Sequence, residues 1–458
     1  MRRATTYLIA ATLLLAAACG DTATTTTSTG AATTTSVPAA TTSSGTEPDV
    51  PDVQAGISWF VSVLNGVDIT AGEYESRFGE EFRAQVPFDT AFQSVLAQFR
   101  PLAPYKIVDT DSAGTRGEAT IEASDGTRLR IVAEVDQDGV ITTLFIQPTE
   151  QPELNDPPGS VAEAFERLAE IGQLRAIAAE VTGDACVPIA NRVENEAAPL
   201  GSVFKLYVLA ALGDSIAAGD IAWTDPVTIR EELKSIPTGT LQDRAAGDVV
   251  TVREAAELMI SISDNTAADH LIDLLGRETI ERSQTEHGNS SAQLNLPFLD
   301  TREFAALKIG PASDLRDPQW IEGDEQTRRS ILDQLAEISA DDLPVAEWVT
   351  PVDPDRVEWF ATPADLCRLA LSLIDLTEEV PEIGEILEIN PGIPAAEGTW
   401  DRVWFKGGSE PGLAAVWWVT EAGGRVFVTA GSVVDPDVAF DTTEAILLFG
   451  AVRDLLLP

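Results

Sequence analysis

One serine and one lysine stand three residues apart, just before a long apolar stretch. Ser202 and Lys205 precede the apolar residues 206–212. Residues three apart share a face of a helix, so the Lys205 amine can reach the Ser202 hydroxyl. An amine held among apolar side chains loses proton affinity and can then deprotonate the serine. The pair therefore predicts a nucleophile with its base.

The composition of the chain supports a chemical role for this lysine. Only five residues are lysine, against 25 arginines. Because a guanidinium group does not release its proton at physiological pH, a lysine inside an apolar helix indicates an amine that has to titrate. The alternative is a capping serine beside a surface lysine, which would need no apolar surroundings.

Two later segments carry groups that could assist such a pair. Ser263 and Asn265 flank Asp264 at a predicted corner between two helices, where a hydroxyl can relay a proton and a carboxamide can hold a substrate amide. Lys406 lies on a predicted apolar strand and is followed by two glycines. Glycines in a strand allow another backbone to approach closely, so a substrate could lie alongside.

In this order the three segments resemble the S-x-x-K, S-D-N and K-T-G signature of serine β-lactamases and penicillin-binding proteins. The resemblance covers roughly residues 158–458, and residues 251–274 are similar to class A β-lactamases beyond the motif itself. With a further domain in front, the whole chain is similar to the class A-like proteins of clavulanic-acid gene clusters and to many actinobacterial exported lipoproteins.

The resemblance implies a role for each matched residue. Ser202 would be the acylated nucleophile, Lys205 its base, and Ser263 the relay of a proton to the leaving group. Lys406 would be an electrostatic partner of Ser263. The backbone N–H groups of Ser202 and Ser409 would form an oxyanion hole. The positions implied in substrate binding are Asn265, Gly407, Gly408 and Ser409.

The third motif departs from the family pattern. Gly407 stands where a Thr or Ser is expected, so a hydroxyl that would bind a substrate carboxylate is missing unless Ser409 replaces it. No arginine occurs between Lys406 and Arg425, although class A enzymes usually have one there for the same carboxylate. We therefore expect weak recognition of a substrate carboxylate.

A second departure concerns hydrolysis of the acyl-enzyme. Thr362 and Pro363 fit the pair that begins the next helix in class A enzymes, but no E-x-x-L-N loop precedes them. Glu347 lies at the expected distance without the following Leu-Asn, and Glu358 lies too close to the pair. Both are interpreted as ordinary loop carboxylates. The sequence thus predicts acylation followed by slow deacylation, with Glu347 as a weak candidate for the missing base.

The elements that would position these residues fall into two predicted domains. Residues 49–150 begin with helical periodicity and continue as four strand-like stretches, an α+β order that resembles the steroid-isomerase-like cone fold. Residues 155–458 begin and end with a helix and strands around a large helical middle. This order predicts an α/β domain, β-lactamase/transpeptidase-like, whose sheet is assembled from both ends of the domain.

The first 48 residues predict export. Arg2 and Arg3 precede an apolar run that suits a signal peptide over residues 1–19. The residues before Cys19 fit either a lipobox, in which Cys19 becomes lipidated, or an ordinary signal-peptidase site. A Thr/Ser-rich stretch over residues 20–48 reads as a flexible tether, which favours lipidation. We therefore expect a lipid anchor at the extracellular face of the membrane, with secretion as the alternative.

Charge and composition exclude several kinds of partner. The net charge of −44 would repel nucleic acid. Two histidines and three cysteines form no metal or haem motif, so we expect no metal and no cofactor. Neither histidine has the strand-turn setting of a Ser-His-Asp enzyme. Cys186 and Cys367 could form a disulfide or remain thiols.

The sequence therefore predicts a monomeric serine hydrolase. Its substrate would be a small-molecule β-lactam, an ester or a cell-wall peptide, and membrane contact would come only through Cys19. Two alternatives stay open, a penicillin-binding-type peptidase and a catalytically weak ligand-binding lipoprotein. The presence of Ser202, Lys205 and Ser263 together argues against binding alone.

Overall fold

The computed structural model describes residues 53–79, 82–83, 86, 88, 92–124, 126–149, 153–395 and 398–457. The predicted signal peptide, Cys19 and the predicted tether lie outside the described residues. The chain divides into two compact units, Met1–Gln151 and Pro152–Pro458. Within the described ranges, the helices are too short or too polar to cross a membrane.

The first unit packs helices against an antiparallel sheet in the order β1-β2-β3-β4. Ile57, Phe60 and Leu64 recur at helical spacing on α1 and are buried in its core. The described elements are α1 (Val53–Leu64), α2 (Ala71–Arg77), α3 (Gln93–Phe99), β1 (Lys106–Ala113), β2 (Arg116–Glu122), β3 (Arg128–Val135) and β4 (Ile141–Pro148).

The second unit has strands near both ends of its sequence and mostly helices between them. Its labelled elements are α4 (Val161–Ile171), β5 (Gln173–Thr182), β6 (Ala185–Arg192), β7 (Ala198–Pro199), α5 (Lys205–Ala217), β8 (Pro226–Thr228), β9 (Val249–Thr251), α6 (Val252–Ser261), α7 (Asn265–Leu275), α8 (Arg277–Glu286), α9 (Thr301–Lys308), α10 (Glu325–Leu335), β10 (Phe360–Ala361), α11 (Pro363–Glu379), α12 (Glu382–Glu388), β11 (Arg402–Glu410), β12 (Leu413–Ala422), β13 (Arg425–Val434) and α13 (Thr442–Asp454).

Short helical turns connect these elements. The 3₁₀ turns are Gly201–Phe204, Glu231–Leu233, Leu241–Asp243, Ala292–Asn295, Ala340–Asp342 and Val345–Glu347, with a first one at Arg100–Leu102 in the first unit. One α-helical turn covers Ser313–Leu315, and a π-helical segment covers Arg316–Trp320.

A five-stranded antiparallel sheet in the order β11-β12-β13-β5-β6 divides the second unit. The sheet joins both ends of the unit, as predicted, because β5 pairs with β13. Helices α4 and α13 cover one face, where Phe165 and Phe449 are buried. The other face carries α5, whose residues 205–213 are all buried. A helix that is apolar on every side is buried on every side, which explains the unbroken apolar stretch.

A disulfide joins Cys186 on edge strand β6 to Cys367 on helix α11. The Cα atoms of the two residues lie 6.3 Å apart, within the range that such a bond needs. The two cysteines are thus paired, and the bond connects residues that are 181 positions apart in the sequence.

Candidate active site

Ser202 lies in a single 3₁₀ turn directly before α5, against strand β11. Gly201 has a φ of +48°, and a Cβ atom on it would lie 3.0 Å from the backbone N of Ser409. A Cβ atom on Gly408 would lie 2.5 Å from the backbone N of Ser202. Both glycines are therefore required for this close approach. It brings together the two backbone segments whose N–H groups are implied in the oxyanion hole.

Lys205 is fully buried and faces three polar groups besides the nucleophile. Its Nζ lies 3.3 Å from Ser202 Oγ, 3.1 Å from Ser263 Oγ, 2.6 Å from the Ser263 carbonyl oxygen and 2.6 Å from Asn265 Oδ1. The carbonyl and carboxamide oxygens can only accept hydrogen bonds. In a neutral amine they take the two N–H groups, which leaves the lone pair for the hydroxyls of Ser202 and Ser263.

Burial also prepares the Lys205 amine for this role. Removal from water lowers the pKa of Lys205 to about 7, and the negative charges of Asp264 and Asp269 oppose the shift. At neutral pH a substantial fraction of the amine is therefore unprotonated and able to act as a base.

Ser263 has a positive φ of 60°, which is rare for a residue with a side chain. The Thr238 hydroxyl donates to the Ser263 carbonyl oxygen at 2.7 Å, and the Asn265 backbone N donates to the carbonyl oxygen of Thr238 at 2.9 Å. The buried Asp264 carboxylate caps α7 and accepts from two backbone N–H groups of the neighbouring loop. This hydrogen bonding holds a backbone conformation that costs about 1–3 kcal/mol.

Lys406 is a second amine within hydrogen-bond distance of Ser263. Its Nζ lies 3.0 Å from Ser263 Oγ and 2.8 Å from the carbonyl oxygen of Gly407. Burial, followed by the nearby charge of Lys205, lowers the pKa of Lys406 well below its usual value. The hydroxyl of Ser263 thus lies between two amines, so it can pass a proton from one side of the site to the other.

The unusual third motif has a packing reason. A Cβ atom on Gly407 would lie 2.8 Å from the ring of Phe405, on the same face of β11. That ring packs on Trp418 at a centroid distance of 4.6 Å, and Val416 lies opposite Gly407 on β12. Aromatic and aliphatic groups therefore occupy the surroundings in which the family places a hydroxyl and an arginine. Ser409, two residues further along the same face, is exposed.

The two candidate glutamates have very different surroundings. Glu347 is exposed in the turn Val345–Glu347. Glu358 is buried, and its Oε2 accepts from the backbone N of Gly201 at 3.1 Å and from that of Trp359 at 3.0 Å. The interpretation of Glu358 as an ordinary loop carboxylate is therefore wrong, because it binds the residue directly before the nucleophile.

The structure also shows a second serine next to a base, which the sequence analysis did not predict. His287 Nδ1 lies 2.5 Å from Ser372 Oγ, and its Nε2 lies 2.8 Å from Asp214 Oδ2. His270, in contrast, is a buried structural residue whose ring contacts the Thr266 carbonyl oxygen and the Arg230 backbone N.

The described structure thus brings Ser202, Lys205, Ser263, Asn265 and Lys406 into one hydrogen-bonded group, with Gly407, Gly408 and Ser409 on the adjoining strand. Sequence reasoning missed three polar residues near the site: Thr238, Lys308 and Glu410. The scarcity of lysines was a signal that could have identified Lys308. Across the described ranges, no group of three His, Cys, Asp or Glu side chains could hold a metal ion.

Comparison with protein families gives two matches. Residues 180–338 match the model of the beta-lactamase enzyme family, and residues 50–141 match the model of the N-terminal part of the ORF 12 gene product. The first match confirms a β-lactamase-like α/β fold for the second unit. A comparison with curated proteins finds no match.

Several solved structures are similar to the chain. A β-lactamase from Sphaerobacter thermophilus is 20% identical, with a TM-score of 0.45 over 65% of this chain and 95% of that protein. PBP-A is 18% identical, with a TM-score of 0.43 over 66% of this chain and 97% of that protein. A β-lactamase from Xanthomonas campestris is 17% identical, with a TM-score of 0.44 over 65% and 97%.

Proposed function

We propose that the protein is an exported serine hydrolase that acts through an acyl-enzyme. The observation that carries this proposal is the hydrogen bonding of Lys205. Two acceptor-only oxygens lie 2.6 Å from its Nζ, and the hydroxyls of Ser202 and Ser263 lie 3.3 Å and 3.1 Å away. An unprotonated amine in these surroundings is oriented to deprotonate Ser202.

In the proposed first step, Ser202 Oγ attacks the carbonyl carbon of an amide or ester while its proton moves to Lys205 Nζ. The negative charge that develops on the carbonyl oxygen is stabilised by the backbone N–H groups of Ser202 and Ser409. As the intermediate collapses, the bond to the leaving group breaks. Ser263 gives its proton to the leaving group and receives one from the Lys205 ammonium group. Water then hydrolyses the ester that links the acyl group to Ser202.

The surroundings of Gly407 support a preference among substrates. A β-lactam, an ester and a cell-wall peptide all offer the required carbonyl carbon. The first and last also present a carboxylate. Phe405 offers it no hydrogen-bond donor, and the indole N–H of Trp418 on β12 already donates to the Pro391 carbonyl oxygen. We therefore propose that small esters react best. β-Lactams would acylate Ser202, and water would hydrolyse the resulting acyl-enzyme slowly.

The intact mass of the protein after exposure to a penicillin, a cephalosporin and an activated ester tests this function. We expect an adduct of one acyl group that persists with the β-lactams and disappears faster with the ester. Rapid turnover of penicillins without an adduct would contradict slow deacylation. Absence of both adducts and turnover with all three compounds would favour a binding protein over an enzyme.

Export is supported by the Cys186–Cys367 disulfide, because disulfides persist in oxidising compartments, and we propose that Cys19 anchors the exported protein at the extracellular face of the membrane. We expect the mature protein to partition into detergent through lipidated Cys19, as a monomer. A Cys19→Ser variant should move to the aqueous phase or remain unprocessed. Recovery of the natural protein in the medium, cleaved after Ala18, would contradict the anchor.

For the first unit we propose the steroid-isomerase-like cone fold. Helices packed on a four-stranded antiparallel sheet support this likeness. The rings of Tyr74, Phe78 and Phe92 contact one another in its core, and we assign no catalysis to it. An experimental structure of residues 49–150 would test the fold directly.

A further inference from the structure

A buried charged cluster lies behind the nucleophile turn, and the proposed reaction does not use it. It consists of Glu358, Glu410 and Lys308, which are 6%, 9% and 2% exposed. The Lys308 ammonium group forms an ion pair with Glu410 Oε1 and lies 4.6 Å from the centre of the Phe304 ring. Two carboxyl groups thus share one ammonium group, so the cluster carries a surplus negative charge when both are ionised.

Two oxygens of this cluster have no hydrogen-bond partner. Glu358 Oε2 accepts from two backbone N–H groups, whereas Glu358 Oε1 and Glu410 Oε2 are buried without a partner. Leaving a buried acceptor unpaired is unfavourable. A proton on Glu358 removes the surplus charge and changes its unpaired oxygen from an acceptor into a donor.

The cluster contacts both backbone segments of the implied oxyanion hole. Glu358 binds the N–H of Gly201, directly before Ser202, and Glu410 directly follows Ser409. Trp359, which directly follows Glu358, stacks on Phe204 at a centroid distance of 3.8 Å. The carbonyl oxygen of Trp359 accepts from the backbone N of Leu200. A change of charge at Glu358 is therefore transmitted directly to the turn that holds the nucleophile.

We infer that Glu358 is a positioning residue that carries a proton while the enzyme is active, and that its ionisation limits acylation at alkaline pH. This inference rests on the proposed function, since it concerns the same nucleophile. Ionisation would add a negative charge beside the N–H groups that must stabilise a developing oxyanion, which raises the barrier to acylation.

The electrostatics of the cluster agree with this assignment. Burial, followed by the charge of Glu410, raises the pKa of Glu358 to about 8, and the charge of Lys308 opposes the shift. Burial raises the pKa of Glu410 to about 7, again opposed by Lys308. Because the Lys308 ammonium group pairs directly with Glu410, we place the proton on Glu358.

The pH dependence of acylation should then have two limbs. The rate rises with pH as Lys205 loses its proton at about pH 7. Above the pKa of Glu358 it falls by about tenfold per pH unit, as expected for the loss of one proton. Loss of the Lys406 charge would also produce a falling limb, so variants are needed to identify the group.

Glu358→Gln is the decisive variant, because its amide accepts from Gly201 and cannot ionise. The acylation rate of this variant, followed by intact mass from pH 6 to 10, should keep the rising limb and lose the falling limb. Glu358→Ala removes the acceptor and should lower acylation at least tenfold at every pH. Glu303→Gln is the matched control: Glu303 is also buried, its pKa is raised to about 7, and it pairs with Arg277. That variant should keep both limbs.

If the acylation rate of Glu358→Gln falls at alkaline pH as steeply as that of the natural protein, the inference is overturned. Lys406 would then be the titrating group. If the variant does not fold, Glu410→Gln provides a second test, because Lys308 then faces Glu358 alone, and the falling limb should move to lower pH. An unmoved limb would contradict the inference. Absence of any adduct in the natural protein would instead refute the proposed function.

Thermal melting in the absence of substrate tests, independently of acylation, whether Glu358 carries a proton in the folded protein. A carboxyl whose pKa is higher in the folded state stabilises the fold fully below its unfolded pKa of about 4.5, and this stability is lost as pH rises towards 8. The melting temperature should therefore fall over this range more steeply in the natural protein than in Glu358→Gln. Equal slopes would show that Glu358 does not bind a proton on folding.

Discussion

Among the described residues, Ser202 and Ser372 each face a base, and their surroundings differ in ways that bear on which of the two could act as a nucleophile. Ser202 faces the amine of Lys205 at 3.3 Å. Ser372 faces the imidazole of His287 at 2.5 Å, and this imidazole is held by Asp214 at 2.8 Å. By residue type alone, the second group matches a hydrolytic triad more closely than the first.

The backbone around each serine reverses this ranking. Ser372 lies inside helix α11, where the backbone N–H groups are used within the helix. Ser202 lies before the first residue of α5, with Gly201 and Gly408 bringing its amide against strand β11. A nucleophile needs donors for the developing oxyanion as well as a base. Of these two serines, only Ser202 has a backbone N–H that lies against a second backbone segment, which supports its proposed role as the nucleophile.

The largest expected difference is in covalent labelling. Ser202→Ala should abolish labelling by a fluorophosphonate or a penicillin probe, with a melting temperature within a few degrees of the natural value. Ser372→Ala should label like the natural protein. Intact mass and in-gel fluorescence measure both. Labelling that survives in Ser202→Ala and disappears in Ser372→Ala would reverse the comparison.

The second test concerns the two bases. Lys205→Arg keeps a positive charge but cannot accept a proton, so acylation should fall by about 10²–10⁴-fold, the usual contribution of a general base. In the natural protein the rate should rise through pH 7, because the burial-lowered pKa of Lys205 makes the amine available above that value. His287→Ala is the matched change in the other group and should leave the rate unaltered. Acylation by Lys205→Arg at the natural rate would restrict Lys205 to positioning.

The hydrogen-bonded group around Lys205 could be predicted from the sequence because its members lie in three short segments, each with its own spacing. Ser202 and Lys205 share one turn, and the apolar residues behind them predicted the burial that lowers the lysine pKa. The cluster of Lys308, Glu358 and Glu410 could not be predicted in this way. Its members are about 50 residues apart, lie on a helix, a loop and a strand, and meet only through packing.

Two other features of the described structure were also not predicted. The ring that replaces the hydroxyl of the third motif comes from Phe405, two residues before Gly407, and only the alternation of a strand places both on one face. The triad of Ser372, His287 and Asp214 depends on the packing of α5, α8 and α11, which no local pattern describes. The spacing of reactive residues within a segment could be predicted from the sequence. The side-chain contacts that form when strands and helices pack could not.

A third test uses strand β11, which packs against the turn that carries Ser202. Gly407→Thr alone should slow acylation by an activated ester, because its Cβ would lie 2.8 Å from the Phe405 ring. Combined with Phe405→Ala, the new hydroxyl has space to bind a carboxylate. A hydrogen bond to a charged group contributes about 1.5–3 kcal/mol, so penicillin acylation should rise about tenfold relative to the ester. Stopped-flow rates for the two substrates measure this ratio, and an unchanged ratio would contradict a role of Phe405 in substrate preference.

The smallest expected effect is on stability. His287→Ala should lower the free energy of unfolding by about 1–3 kcal/mol, because it removes a buried imidazole and its two hydrogen bonds, each of which contributes about 0.5–1.5 kcal/mol. Urea denaturation measures the change, and labelling of Ser202 provides the control. A loss of labelling without a loss of stability would show that the Ser372 group takes part in the chemistry.

The pairing of β5 with β13 has a consequence for the order in which the protein folds. Glu180 and Arg425, which form an ion pair across these strands, are 245 residues apart. Closing so long a loop costs entropy that only the finished sheet repays, so contacts of this range make folding slow. During synthesis β5 emerges early, and it has no partner on that side until the last strand leaves the ribosome. The same delay keeps Ser202 apart from Ser409, so an unfinished chain contains the Ser202–Lys205 pair without the strand that approaches its backbone.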